Sequence, residues 1–395
     1  MTHVHDRLHL PVSRRILARW LGALAGALLA GAALTAAPAM AETVVKIGIV
    51  QATSGGSAAL YGTMQKNGAL LAIDEINASG VLGDIRLVGL HEDDAGDRGQ
   101  SVNIFQRMIN KDRVAVILGP TLANSAFAAD PLAQRAKVPV IASSNTAPGI
   151  TAIGTYIFRT SPPENVVFPG VLKWAREKHG VRTAAQIYGI DDMLMKTAYA
   201  VQKQALETAG IRIVATETFQ KGDVDYSAQL TKIRAASPDA IVIGGLAEET
   251  ANIVRQARQL GIPPGTVIMG ANAAISSKLA ELAGKAADGF LVGSGWFIGY
   301  DDPVNRRFVE AYKARYNSLP DNFAAQAYTA VYAFADALKR AGGAGDSEKL
   351  RDAIASVRDL PSPSGPFSFD RDREPVITPK VLTMRDGRFV LAGSE

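Results

Sequence analysis

Two short segments carry the densest supply of hydrogen-bonding groups: Gly119-Pro120-Thr121-Leu122-Ala123-Asn124-Ser125 and Ser143-Ser144-Asn145-Thr146. Each follows directly on an apolar run, Val114–Leu118 and Val138–Ala142. Hydroxyls, carboxamides and free backbone N–H groups at a helix start suit a carboxylate, which accepts several hydrogen bonds and gains from the helix dipole. The same residue types cap helices, so Asn124, Ser125 and Thr146 also have a purely structural reading. Catalysis has less to draw on. Beyond residue 41 the histidines are His91 and His179, in unrelated contexts, with no G-x-S-x-G elbow and no H-E-x-x-H pair. His91-Glu92-Asp93-Asp94 with Asp97 offers oxygen and nitrogen ligands for a divalent metal. Its spacing fits no EF-hand loop, and Asp97 ahead of a helical run reads as an N-cap. No G-x-G-x-x-G follows a strand, which removes support for a dinucleotide site. The sequence holds no cysteine, excluding disulfides, zinc-thiolate and iron–sulfur centres, thiol nucleophiles and a cysteine-linked lipid anchor. The expectation is therefore no enzyme, no cofactor and no metal.

These segments sit in a chain that alternates. Apolar, β-branched runs recur at Val44–Val50, Val114–Leu118, Val138–Ala142, Ile211–Phe219, Ala240–Ile243, Thr266–Met269 and Phe290–Val292. Runs of this kind between helices suggest strands buried on both faces of parallel sheets. Ala69, Ala72, Ile73 and Ile76 share one helical face, as do Ala327, Ala330, Val331, Phe334 and Leu338. The order strand–helix–strand predicts an α/β fold. An internal echo adds to it: Arg113-VAVILGP-Thr121 precedes a helical stretch and Val138-PVIAS, while Asp239-AIVIGGL-Ala247 precedes a helical stretch and Thr266-VIMGA. Any βαβ unit has about this length. Taken with 395 residues, more than one core of roughly 250–300 residues holds, it favours two similar α/β lobes. Ligands of open α/β sheets lie beyond the carboxyl ends of the strands, so two facing lobes would enclose a cleft.

The formal charge of +4 is unevenly spread. Arg7, Arg14, Arg15 and Arg19 precede an uncharged stretch from Trp20 to Ala41 that ends in Ala39-Met40-Ala41. This order reads as a secretory signal peptide, residues 1–41, cut after Ala41. The run is just long enough to span a bilayer, but its Ala/Gly content and cleavage triplet favour export. Ser13-Arg14-Arg15-Ile16-Leu17 leaves the ordinary and twin-arginine routes open. Residues 1–41 hold four arginines and one aspartate, so the remainder carries 38 basic and 37 acidic residues. A nearly neutral exported chain is not a nucleic-acid binder.

Residues 44–62, VVKIGIVQATSGGSAALYG, with NGALLAIDEIN (67–77) and the Asp93–Asp97 turn, resemble the branched-chain amino-acid-type binding proteins of ABC importers. The resemblance continues through ILGP (117–120), PVIASSNTAP (139–148), DAIVIGGLAEE (239–249), VRQARQLGI (254–262) and DGFLVG (288–293). It implies the type I periplasmic-binding-protein fold, two Rossmann-like lobes joined by a hinge: 42–161 with 295–362, and 162–294 with 363–395. It also implies a periplasmic monomer that closes on a ligand and delivers it to membrane permease subunits. Carried over residue by residue, Ser144 and Thr146 hold the ligand and Tyr61 takes the ring-stacking position. Three departures stand out. Ala123 replaces the serine that serves a carboxylate, so Asn124 or Ser125 must compensate. Asn272 replaces the glutamate that serves an ammonium, leaving Glu248 to swing in or the ligand to carry no ammonium. Met193 and Leu246 replace aromatic residues that close over an amino acid. Trp296, near the return crossover, either stacks on the ligand or packs the hinge. The implied ligand is a branched-chain-type amino acid or related small carboxylate or amide. Aromatic or aliphatic acids lacking an ammonium are the rival, and a sensor partnering a kinase is the other alternative.

Overall fold

The apolar runs become strands because their β-branched side chains fill both faces of a pleated sheet. The computed structural model describes residues 42–56 and 58–394. The expected export signal lies outside them. The first sheet holds β1 (Thr43–Gln51), β2 (Ile85–Asp93), β3 (Val116–Leu118), β4 (Val140–Ala142) and β5 (Ile157–Arg159) in the order β2-β1-β3-β4-β5. The pairs β1–β3, β3–β4 and β4–β5 are parallel. Helices α1 (Ala58–Ser79), α2 (Arg98–Arg107) and α3 (Ala123–Ala136) connect its strands. One core, with Ile47, Ile49 and Leu118, lies on one face, and another, with Val50, Ile117 and Val140, lies on the other.

The next strands repeat the plan. They are β6 (Thr183–Gly189), β7 (Arg212–Phe219), β8 (Ala240–Gly244), β9 (Val267–Gly270) and β10 (Leu291–Ser294). They alternate with α4 (Glu164–His179), α5 (Met193–Thr208), α6 (Ser227–Ala235), α7 (Ala247–Gln259) and α8 (Ser277–Ala283). The chain then returns to the first sheet with α9 (Pro303–Tyr316), α10 (Asn322–Ala341) and α11 (Ser347–Ala355), whose Phe308, Phe334 and Ile354 join the core of Ile47. Gly68 permits this packing of α1 on α10, since a Cβ there would meet the Ala324 carbonyl oxygen at 2.2 Å. A small ribbon, β11 (Ser368–Phe369) with β12 (Pro375–Val376), precedes β13 (Lys380–Arg385) and β14 (Arg388–Leu391). The second sheet runs β14-β13-β10-β9-β8-β6-β7, with β13 antiparallel to β10. Within it, β7-β6-β8-β9-β10 reproduces the order β2-β1-β3-β4-β5, so the internal echo becomes a topological repeat. Phe367 and Phe369, in the segment expected with the second lobe, pack with Phe158 in the first core.

Candidate functional site

In this doubly wound strand order the winding reverses between the first and third strands of each unit, and the crevice lies at their carboxyl ends. Those places are β1/β3 in one sheet and β6/β8 in the other. The helices that follow β3 and β8 begin alike. Leu122 is the N-cap of α3 and Leu246 that of α7, both extended, and neither leucine caps its helix through its side chain. Leucine cannot accept a hydrogen bond from first-turn N–H groups, so these donors are left for another partner. Both leucines line one internal cavity.

From the first sheet the cavity is bounded by Tyr61, Thr121, Ser144, Thr146 and Phe323. The loops that carry them are tied together. Thr121 accepts the Ala52 N–H at 3.0 Å and donates to the Gln51 side-chain oxygen at 2.7 Å. Ser144 Oγ donates to the Thr121 carbonyl at 2.6 Å, and the Asn145 amide to that of Pro120 at 2.9 Å. Arg159, buried and paired with Glu374, donates to the carbonyls of Asn145 at 3.0 Å and Ala147 at 2.8 Å. The acidic motif is also structural. Asp93 accepts the N–H groups of Thr53 and Ala95, and Asp97 caps α2. Desolvation opposes ionisation of Asp93, but those hydrogen bonds outweigh it and hold its carboxyl down to about 2. Among the described residues no group of acids and histidines is placed to hold a metal.

From the second sheet come Leu194, Leu246, Asn272 and Ala273. The Tyr61 hydroxyl crosses to them: it donates to the Ala273 carbonyl at 3.1 Å and accepts the Ala247 N–H at 2.9 Å. Its ring meets Phe323 edge-on at 4.8 Å. Close approach of α1 to β1 places it, since a Cβ at Gly62 would lie 1.9 Å from the Ala52 carbonyl oxygen. Behind Asn272, the buried Glu164 accepts that residue's backbone N–H at 3.1 Å. Burial pushes the Glu164 carboxyl up to about 7. The lining residues are all buried, and free space is about 10 Å³, on the order of one water molecule.

The structure thus gathers Tyr61, Ser144, Thr146, Leu246 and Asn272 around one cavity. It does not bring four other expected residues to that lining. Ser125 is buried inside α3 and Asn124 sits beside it, half-buried. Met193 starts α5 and is 40 % exposed, while Leu194, one residue on, turns inward. Trp296 is buried in the first core, its indole N–H held by Asn305 at 2.8 Å and its ring edge-on to Phe308. Glu248 points to solvent, and the buried acid of that pair is Glu249, which accepts the Gly222 N–H. Phe323 is not legible as a lining residue, because it lies in a helix and not in a polar post-strand loop that sequence patterning marks.

A family model described as periplasmic binding protein matches residues 44–386. The chain belongs to the periplasmic binding protein family. It is 31 % identical over 332 residues to a leucine-, isoleucine-, valine-, threonine- and alanine-binding protein of Pseudomonas aeruginosa, covering 84 % of this chain and 87 % of that one. Among solved structures it is similar to a branched-chain amino acid transporter substrate-binding protein of Streptococcus pneumoniae in complex with isoleucine. That pair shares 30 % identity and a TM-score of 0.81, over 88 % of this chain and 98 % of the other. It is also similar to an ABC transporter solute-binding protein of Rhodopseudomonas palustris BisB5 in complex with 3,4-dihydroxybenzoic acid: 26 % identity, TM-score 0.79, over 88 % and 95 % of the two chains. The present binding protein is accordingly a two-lobed α/β receptor of the periplasm that takes a small-molecule ligand and performs no catalysis.

Proposed function

We propose that this binding protein is the substrate-binding receptor of an ABC importer. It captures a branched-chain-type amino acid or a related small carboxylic acid between its two sheets and hands it to permease subunits. The observation that supports this reading is the meeting of two helix N-termini with leucine N-caps, those of α3 and α7, at one cavity, where the Tyr61 hydroxyl takes one first-turn N–H of α7. N–H groups at such ends favour an anion. A carboxylate at α3 would take first-turn N–H groups and the Thr146 hydroxyl, and the apolar remainder would lie against Leu122, Leu194, Leu246 and Phe323. Space for one water admits no such molecule, so entry requires the two sheets to part and closure to follow. We assign the lobes as 42–161 with 295–376 and 162–294 with 377–395, the placement of Phe367 and Phe369 supporting the later boundary. The export signal would be removed after Ala41.

The test is a thermal-shift and calorimetry screen of the purified protein with leucine, isoleucine, glutamine and 4-hydroxybenzoate. A ligand that binds the native state raises the melting temperature. Binding of at least one of these, with 1:1 stoichiometry, is expected. A melting temperature unmoved by every amino acid and carboxylic acid at millimolar concentration would overturn the reading.

A further inference from the structure

Asn272 is 1 % exposed, lines the cavity, and has a side-chain NH₂ group with no hydrogen-bond partner among the described residues. A buried, unpaired donor beside a ligand cavity asks for an acceptor. Its oxygen belongs to a chain of carboxamides that spans the two sheets and ends at Gln326, whose Oε1 has no partner among the described residues. The Gln326 NH₂ donates to Asn322 Oδ1 at 3.0 Å, and the Asn322 NH₂ donates to Asn272 Oδ1 at 3.3 Å. Asn322 and Gln326 belong to α10, packed on the first sheet, whereas Asn272 follows β9 of the second. With its oxygen taken by Asn322, Asn272 offers the cavity a donor.

The neighbouring acceptors are also engaged. The Ala273 carbonyl holds the Tyr61 hydroxyl. None of the residues lining the cavity is acidic. Glu164 lies behind Asn272, is 3 % exposed, and directs its carboxylate to the Asn272 N–H and the Gln202 amide. An ammonium here would be desolvated with no counter-charge in contact, a costly arrangement. An oxygen would find a donor waiting.

We propose that the second-lobe face of the cleft reads an oxygen acceptor, not an ammonium. The ligand is then an acid whose second polar group is a hydroxyl or carbonyl oxygen, and Asn322 is the positioning residue that sets this preference by orienting Asn272. This deepens the carboxylic-acid reading above and rests on it.

The experiment uses matched compounds differing at one carbon. On one skeleton these are leucine, 2-hydroxy-4-methylpentanoate, 4-methyl-2-oxopentanoate and 4-methylpentanoate. On an aromatic skeleton they are phenylglycine, mandelate and phenylglyoxylate. Calorimetric Kd values are expected to favour the hydroxy or oxo acid over the amino acid by roughly tenfold or more on whichever skeleton binds. N272D turns the donor into an acceptor and is expected to shift the ratio toward the amino acid. N322A frees the carboxamide to rotate and is expected to shrink the ratio toward one, a change that a general loss of stability would not produce. An amino acid binding as tightly as its hydroxy analogue in the unmodified protein would overturn the proposal while leaving the receptor reading intact. If no compound of either series binds and the screen above is also empty, the carboxylic-acid reading falls, and the proposal with it.

Discussion

Tyr61 and Ala247 are 186 positions apart in sequence, yet the Tyr61 hydroxyl accepts the Ala247 N–H at 2.9 Å and so joins α1 to the start of α7. The same hydroxyl donates to Ala273, so one oxygen satisfies a donor and an acceptor from the opposite sheet. It stands at the helix N-terminus where an anionic ligand group would be welcome.

Removing that oxygen is expected to open the molecule. In Y61F the Ala247 N–H and the Ala273 carbonyl are left buried and unpaired in the closed form, at a cost of about 1–3 kcal/mol, whereas water satisfies both when the lobes part. Small-angle scattering of the ligand-free variant is therefore expected to show a larger radius of gyration than the parent. An unchanged radius would show that the hydroxyl does not hold the lobes together.

Arg159 organises the loop that bears Ser144 and Thr146 through the carbonyls of Asn145 and Ala147, and its charge is matched by Glu374. R159M strands a carboxylate that is 20 % exposed and frees two carbonyls, for an expected destabilisation of roughly 2–4 kcal/mol, read by denaturant unfolding. R159K keeps the charge but not the fork, so a smaller loss accompanied by weaker ligand binding is expected. Equal stability of all three proteins would contradict this role.

Glu164 gives the stability a pH dependence of definite sign. Its carboxyl is pushed by burial from an ordinary value near 4.5 up to about 7 in the folded protein. The folded state then holds a proton that the unfolded chain releases, so this group's contribution falls as pH rises from about 4.5 through 7. E164Q removes the ionisation and can still accept the Asn272 N–H, while the unpartnered Gln202 Oε1 is available to its new donor. Variant and parent are expected to differ least near pH 5, with the variant gaining about 1–3 kcal/mol relative to the parent by pH 8. A difference in melting temperature that stays flat across that range would be the contrary result.

Much of this arrangement is legible in the residues. The run VAVILGP is buried on both faces and reads as a strand, and its echo in AIVIGGL marks the third strand of each unit. β6, TAAQIYG, escapes such reading because Gln186 interrupts its apolar run, and β5 because three residues carry no pattern. The site shows the same divide. Ser144, Thr146 and Asn272 lie just beyond strands, where sequence order alone points to the cleft. Met193 and Leu194 differ by one position, but successive helical side chains point about 100° apart, and only packing selects which faces inward. Trp296 could serve ligand or hinge by its chemistry, and only the fold supplies the Asn305 oxygen that holds its indole N–H.

The alternation of apolar runs and helical faces is thus enough to determine two α/β sheets of like order, because burial of β-branched runs and helix periodicity are local properties. Which donors remain free in the cleft is decided only by tertiary structure. Tyr61 meets Ala247 and Ala273, and Asn322 meets Asn272, through contacts between distant segments that take up some polar groups and leave the Asn272 NH₂ buried without a partner among the described residues. Hydrogen-bond capacity is written in residue types, whereas its allocation depends on which neighbours the fold supplies.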